Sequence, residues 1–255
     1  MDLPLVLLPG TLCDARIFEP LLKRLGAQNT HVFLTAEAPS LEQAAEEVLA
    51  TAPARFALVG FSLGGMVAME AVLRAPTRVC GLALLSTTPL AVPPERLASR
   101  REAVSLAASM PMARFVREHL WPDYGGQPND TQLLPLLQDM ATALGHTAFA
   151  RQTQQALGRS DFCKRLSAVK CPALIVSGEA DPLCPPAAQQ YLARALPHST
   201  SVLLPAAGHF AVYEQADEIA SAVAAWFQPI SSAQHKAWLA SGMHQGDEPM
   251  KRESE

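Results

Sequence analysis

The sequence predicts an α/β fold: a mostly parallel sheet with helices on both faces and an inserted block of helices. Three observations predict it. From Leu3 to Ser86, short apolar runs alternate with amphipathic stretches. From about Ala91 to Arg159 every periodic stretch is helical, and the strand pattern returns at Ala173–Ser177. Gly60-Phe61-Ser62-Leu63-Gly64 stands between an apolar run, Phe56–Val59, and an Ala- and Met-rich stretch that reaches Ala75. Gly-x-Ser-x-Gly between a strand and a helix is the pattern of a nucleophile elbow. Residues 1–90 and 161–228 form the expected core, 91–160 the expected helical lid, and 229–255 a polar tail in which little order is expected.

The elements follow in order. Leu3–Leu8 reads as a buried strand running into Pro9-Gly10-Thr11-Leu12-Cys13. Phe18–Leu25 is an amphipathic helix, His31–Thr35 a short strand, and Leu41–Thr51 a helix with Ser40 as its N-cap. The elbow strand and helix come next, the helix ending before Pro76. Cys80–Ser86 is another buried strand. Helices are expected at 94–109, 112–120, 131–144 and 147–157, with breaks at Pro111, at 121–128 and at Gly145. After the strand at 173–177 come a helix at 187–196, a strand at 200–204 and a helix at 217–227; Ala233–Ala240 has the pattern of a helical turn or two. Strands alternating with helices imply a parallel sheet covered on both faces.

Composition sets bounds. Of 255 residues, 49% are apolar and 17% charged, enough for a sizeable core. A net charge of −4 gives no reason to expect nucleic acid. No apolar run approaches the about 18 residues of a membrane-spanning helix. The N-terminal run lacks a basic segment and a small-residue cleavage site, so it reads as a strand rather than a leader, and the expected location is cytoplasmic. Cys13, Cys80, Cys163, Cys171 and Cys184 are odd in number and show no Cys-x-x-Cys spacing, which favours reduced thiols over a disulfide framework or a zinc site. No His-Glu-x-x-His or comparable cluster suggests a metal.

The elbow glycines have a physical reason. The turn is so sharp that the serine holds a strained backbone, and side chains at positions 60 and 64 would collide with it or with the adjoining strand. The hydroxyl of Ser62 is thereby exposed at the strand's C-terminal edge, with the Leu63 amide at a helix N-terminus beside it. Asp181, in Gly178-Glu179-Ala180-Asp181-Pro182, and His209, in Gly208-His209, also sit in loops just after strands. In a parallel sheet such loops share one edge. As alternatives, Ser62 reads as a helix cap, Glu179 or Glu214 as the acid, and His209 as a surface histidine; the other six histidines lack a comparable setting.

Serine, acid and histidine in this order resemble the α/β-hydrolases, specifically small cytosolic esterases with a helical lid. The resemblance covers about residues 3–228. It implies Ser62 as nucleophile, His209 as base and then acid, and Asp181 as the group that orients the imidazole. It places the oxyanion hole at the amides of Leu63 and of a residue just after Gly10, Thr11 foremost and Leu12 otherwise. The His-Gly usual in the family is Pro9-Gly10 here, and the acidic, Gly-rich loop usual after the second strand is the shorter Thr35–Ser40.

A serine nucleophile suits acyl transfer. The expectation is hydrolysis of a small-molecule carboxylic ester through an acyl-enzyme, with no cofactor and no metal. Thioester hydrolysis, C–C hydrolysis and perhydrolysis use the same triad and stay open, as does a non-catalytic hydrolase-like binding protein. No membrane or nucleic-acid partner is expected, and oligomeric state is not legible. Leu12, Phe115 and Trp121 are expected to line the substrate pocket, although packing of the lid onto the sheet is the duller reading for any one lid residue. Arg96, Arg100, Arg101, Arg114 and Arg117 read as solvated helix faces, with reception of an anionic substrate or carrier as the alternative.

Overall fold

The computed structural model describes residues 3–26, 29–127 and 130–240. Strands β1 (Leu5–Leu8), β2 (Thr30–Val32), β3 (Phe56–Phe61), β4 (Val79–Leu85), β5 (Ala173–Gly178) and β6 (Ser199–Leu204) form one sheet in the order β2-β1-β3-β4-β5-β6. Every neighbouring pair is parallel. The crossovers carry α1 (Glu19–Leu25), α2 (Leu41–Thr51) and α3 (Leu63–Arg74). The insertion carries α4 (Leu97–Ala108), α5 (Met112–Phe115), α6 (Trp121–Asp123) and α7 (Leu133–Gly158). The second half adds α8 (Pro186–Ala195), α9 (Ala211–Glu214) and α10 (Ala216–Ala240).

Side chains alternate across a strand, so one apolar run feeds two cores. Leu5, Leu7, Val59, Phe61 and Leu85 join one core with α1, α10 and the inserted helices. Val6, Leu8, Leu58, Leu82 and Leu84 join the other with α2, α3 and α8. This is why the central strands read as continuous rather than alternating apolar runs.

The insertion is helical as expected, with the break at Gly145 preserved: φ 80° and ψ 173° interrupt α7 there. The expected break at 121–128 begins with a helical turn, because a π-helical stretch, Val116–Leu120, joins α5 to α6; Pro128 of that break lies outside the described residues.

The tail differs from expectation. Helix α10 runs unbroken through Pro229 to Ala240, where little order was expected from residue 229 beyond a helical turn or two at Ala233–Ala240. Proline costs a helix about 3 kcal/mol by removing an N–H and crowding the preceding turn. Here burial offsets it: Trp226 and Ile230 close over Gly81 of β4, and Ile230 is buried. Residues 241–255 of that expected tail lie outside the described residues. All five cysteines are free thiols. No described helix is long and apolar enough to cross a membrane.

Candidate active site

Ser62 lies between β3 and α3 with φ 52° and ψ −115°. Its N–H donates to the Leu85 carbonyl at 2.9 Å, and its own carbonyl accepts from Thr87 Oγ1 at 2.7 Å. A Cβ on Gly60 would sit 2.5 Å from Gly65 Cα, and one on Gly64 would sit 2.1 Å from the Leu8 carbonyl oxygen. Both glycines are therefore required by backbone approaching backbone, which cannot yield as a side chain can. The strain at Ser62, of order 1–3 kcal/mol, is held by these contacts on both sides of the turn.

Three loops converge on it. His209 Nε2 lies 3.0 Å from Ser62 Oγ, and His209 Nδ1 lies 2.9 Å from Asp181 Oδ2. The second oxygen of Asp181, Oδ1, accepts from the amides of Leu183 at 2.8 Å and Cys184 at 2.9 Å. Both Asp181 and His209 are buried. Three rings hold the imidazole: Tyr124 stacks on it at 5.5 Å and 11°, Phe210 meets it edge-on at 5.4 Å, and Phe61 lies at 5.5 Å. Neither alternative acid reaches the ring nitrogen in this arrangement. Glu214 instead accepts from the Gly208 amide at 2.7 Å, and partial burial pushes its carboxyl above the ordinary carboxylate range.

Thr11 sits in a tight turn closed by the Cys13 amide donating to the Gly10 carbonyl at 3.1 Å. Leu12, at φ 56°, takes the left-handed position of that turn. Its amide donates to Gln152 Oε1 at 2.9 Å, a buried bond from α7 across 140 residues. The Leu63 amide lies in the first turn of α3, where no intrahelical acceptor exists.

A cavity of about 300 Å³ opens at Ser62. Of the residues expected at the site, Ser62, Leu63, Thr11 and His209 line it, and Asp181 lies behind His209. The structure does not bring Leu12, Phe115 or Trp121 to this cavity. They are 3%, 0% and 5% exposed and belong to the core between sheet and insertion. Burying a large apolar side chain stabilises the molecule by about 1.5–3 kcal/mol, so these residues serve the packing of the insertion first. The wall is built instead from residues with no sequence signal, among them Leu90, Val92, Gln152, Leu157, Arg159 and Leu183.

Among the described residues, one group brings three metal-type ligands together: Asp181, Cys184 and His209, with ligand atoms within 4.8 Å of one another. Its donor set is poor for a cation. His209 Nδ1 and Asp181 are engaged with each other. Burial, reinforced by the Asp181 charge, pushes the Cys184 thiol well above its ordinary range, away from the thiolate that binds metal.

The model of the alpha/beta hydrolase family matches residues 5–222. A pimeloyl-[acyl-carrier protein] methyl ester esterase of Shewanella sp. is 26% identical over 239 residues, covering 87% of this chain and 89% of that protein. RutD of Klebsiella pneumoniae, which carries the provisional name of carbamate hydrolase, is 31% identical over 177 residues; the match covers 64% of this chain and 62% of that relative's length. In fold, the chain is similar to a thermophilic esterase from Thermogutta terrifontis, with a TM-score of 0.79, 22% identity and 91% of each chain covered.

Proposed function

The chain belongs to the alpha/beta hydrolase family, and from that premise we propose that it is a serine hydrolase of carboxylic esters working through Ser62, His209 and Asp181. The observation that carries this reading is the hydrogen-bonded chain from Ser62 Oγ through the imidazole to Asp181. Likeness to a protein named as a methyl ester esterase supports the ester as the bond attacked.

In this reading His209 Nε2 takes the Ser62 proton as Oγ attacks the ester carbonyl. The oxyanion that forms is held by the amides of Leu63 and Thr11; Leu12, the other candidate, has its amide engaged by Gln152. Asp181 fixes the tautomer with Nδ1 protonated and stabilises the imidazolium. The imidazolium then protonates the leaving alcohol, and water, activated by the same imidazole, hydrolyses the Ser62 acyl-enzyme. The substrate is a small-molecule ester seated in the cavity at Ser62.

Intact-protein mass after exposure to a fluorophosphonate tests the reading, with p-nitrophenyl ester turnover alongside. The expected result is a single adduct on wild type that is absent from Ser62→Ala and slow to form on His209→Ala. Turnover unchanged in Ser62→Ala would sink the assignment.

A further inference from the structure

The cavity at Ser62 is lopsided in charge. Among the described residues Arg96, Arg100 and Arg159 line it, and no Asp or Glu does. Other arginines show what an acid nearby would do: Arg16, Arg24, Arg74, Arg114, Arg151 and Arg165 all lie against carboxylates. None of the three cavity arginines makes an ion pair among the described residues.

Arg159 is the most constrained of them. It follows the last residue of α7, and its Nε donates to the Leu90 carbonyl at 2.8 Å while Nη1 donates to the Ala156 carbonyl at 2.6 Å. A cation at a helix C-terminus is favourable in itself, and that accounts for the bond to Ala156. It does not account for Nη2, which has no acceptor among the described residues, nor for the charges of Arg96 and Arg100 at the same cavity. Burial, with Arg100 adding to it, lowers the Arg159 pKa to about 10. A half-buried cation without a counter-charge is costly, and an arriving anion relieves that cost. The wall that these arginines share with Ser62 is largely apolar, with Leu90, Val92, Leu157 and Leu183 contributing.

We propose that Arg159, with Arg100 and Arg96 at the rim, forms an anion subsite, and that the ester this chain hydrolyses carries a carboxylate or phosphate at the end remote from the scissile bond. The guanidinium, fixed by two backbone carbonyls, presents its remaining N–H groups in the planar fork that suits such oxyanions. The apolar wall accommodates an alkyl chain, and the reach from Ser62 to the guanidinium sets its length. The inference rests on the Ser62 esterase reading, deepening it from ester to substrate class.

The test compares initial rates for two matched series of varied chain length: monomethyl esters of straight-chain dicarboxylic acids and their neutral monoamide counterparts. A methyl ester ending in phosphate distinguishes the two oxyanions. At the best length, kcat/KM is expected to favour the charged ester by about tenfold or more. That ratio falls towards one in Arg159→Gln, falls in Arg100→Gln, and shrinks as ionic strength rises. Arg159→Gln also loses the bonds to Leu90 and Ala156, so the exposed Arg100→Gln guards against a folding defect. A ratio near one at every length, in an enzyme that turns over the neutral esters, overturns the subsite and leaves the esterase reading standing. Absence of turnover together with an unlabelled Ser62 fails the esterase reading. The subsite is then decided by calorimetry on Ser62→Ala with the free dicarboxylates and inorganic phosphate. Affinity weakened about tenfold or more by Arg159→Gln supports it, and equal affinity overturns it.

Discussion

At Ser62 the backbone is held at φ 52°, and the hydroxyl lies 3.0 Å from His209 Nε2. What the imidazole can do there depends on Asp181, which accepts from Nδ1 and is itself fixed by two amides. Asp181→Asn keeps the shape but presents a donor where an acceptor is needed, so kcat for an activated ester should fall about 10³–10⁴-fold with little change in melting temperature. Glu214 behaves differently. Burial raises its pKa despite the hydrogen bond from Gly208 and the nearness of His209. A carboxyl whose folded pKa is raised binds its proton more tightly when folded, so its contribution to stability is present at low pH. It is lost as pH rises from the ordinary carboxylate range through the raised value. Glu214→Gln keeps an acceptor for Gly208 and removes that loss. Its melting temperature relative to wild type should therefore improve as pH rises from the ordinary carboxylate range through this window; a difference independent of pH would refute the account. That Ser62, Asp181 and His209 meet was legible, because each follows a strand and carries its own short motif. The role of Glu214, a bond to a backbone amide six residues away, leaves no such mark.

Helix α7 reaches the turn after β1 through one buried bond, from the Leu12 amide to Gln152 Oε1. It holds a non-glycine residue at φ 56° and leaves Thr11, not Leu12, as the amide candidate at the cavity. Gln152→Ala would strand a buried N–H, at a cost of about 1–3 kcal/mol. If Thr11 donates to the oxyanion, kcat should fall about 10–100-fold while KM for a small ester changes little, with Gln152→Glu, still an acceptor, restoring part of the loss. A change in KM alone would argue against this placement. Helix periodicity located the longer inserted helices and the break at Gly145, but not the helical turn at Trp121–Asp123. It could not say which faces turn inward: Phe115 and Trp121 went to the core, and Gln152 and Arg159 to the cavity.

Across the molecule, the elbow helix α3 is tied to the chain returning from the insertion. Glu70, 2% exposed, takes Arg165 through both oxygens at 2.8 and 3.1 Å, and Arg74 at 2.9 Å. Arg165→Met leaves a buried carboxylate with one partner fewer, Arg74 remaining, and should lower unfolding free energy by about 1–3 kcal/mol in urea titration. Ile230→Ala opens the cover over Gly81 and should cost about 2 kcal/mol, which would show that the helix beyond Pro229 belongs to the fold. The sequence by itself determined the strand–helix alternation, the parallel sheet, the helical insertion and the three motifs at one sheet edge. Each of these follows from local periodicity or from a turn too tight for any residue but glycine. Only the tertiary structure decided that α10 continues to Ala240, that Gln152 engages Leu12, and that three arginines with no ion pair among the described residues share a cavity with Ser62. Those depend on contacts between residues far apart in the chain, where packing outweighs local preference and spacing carries no information.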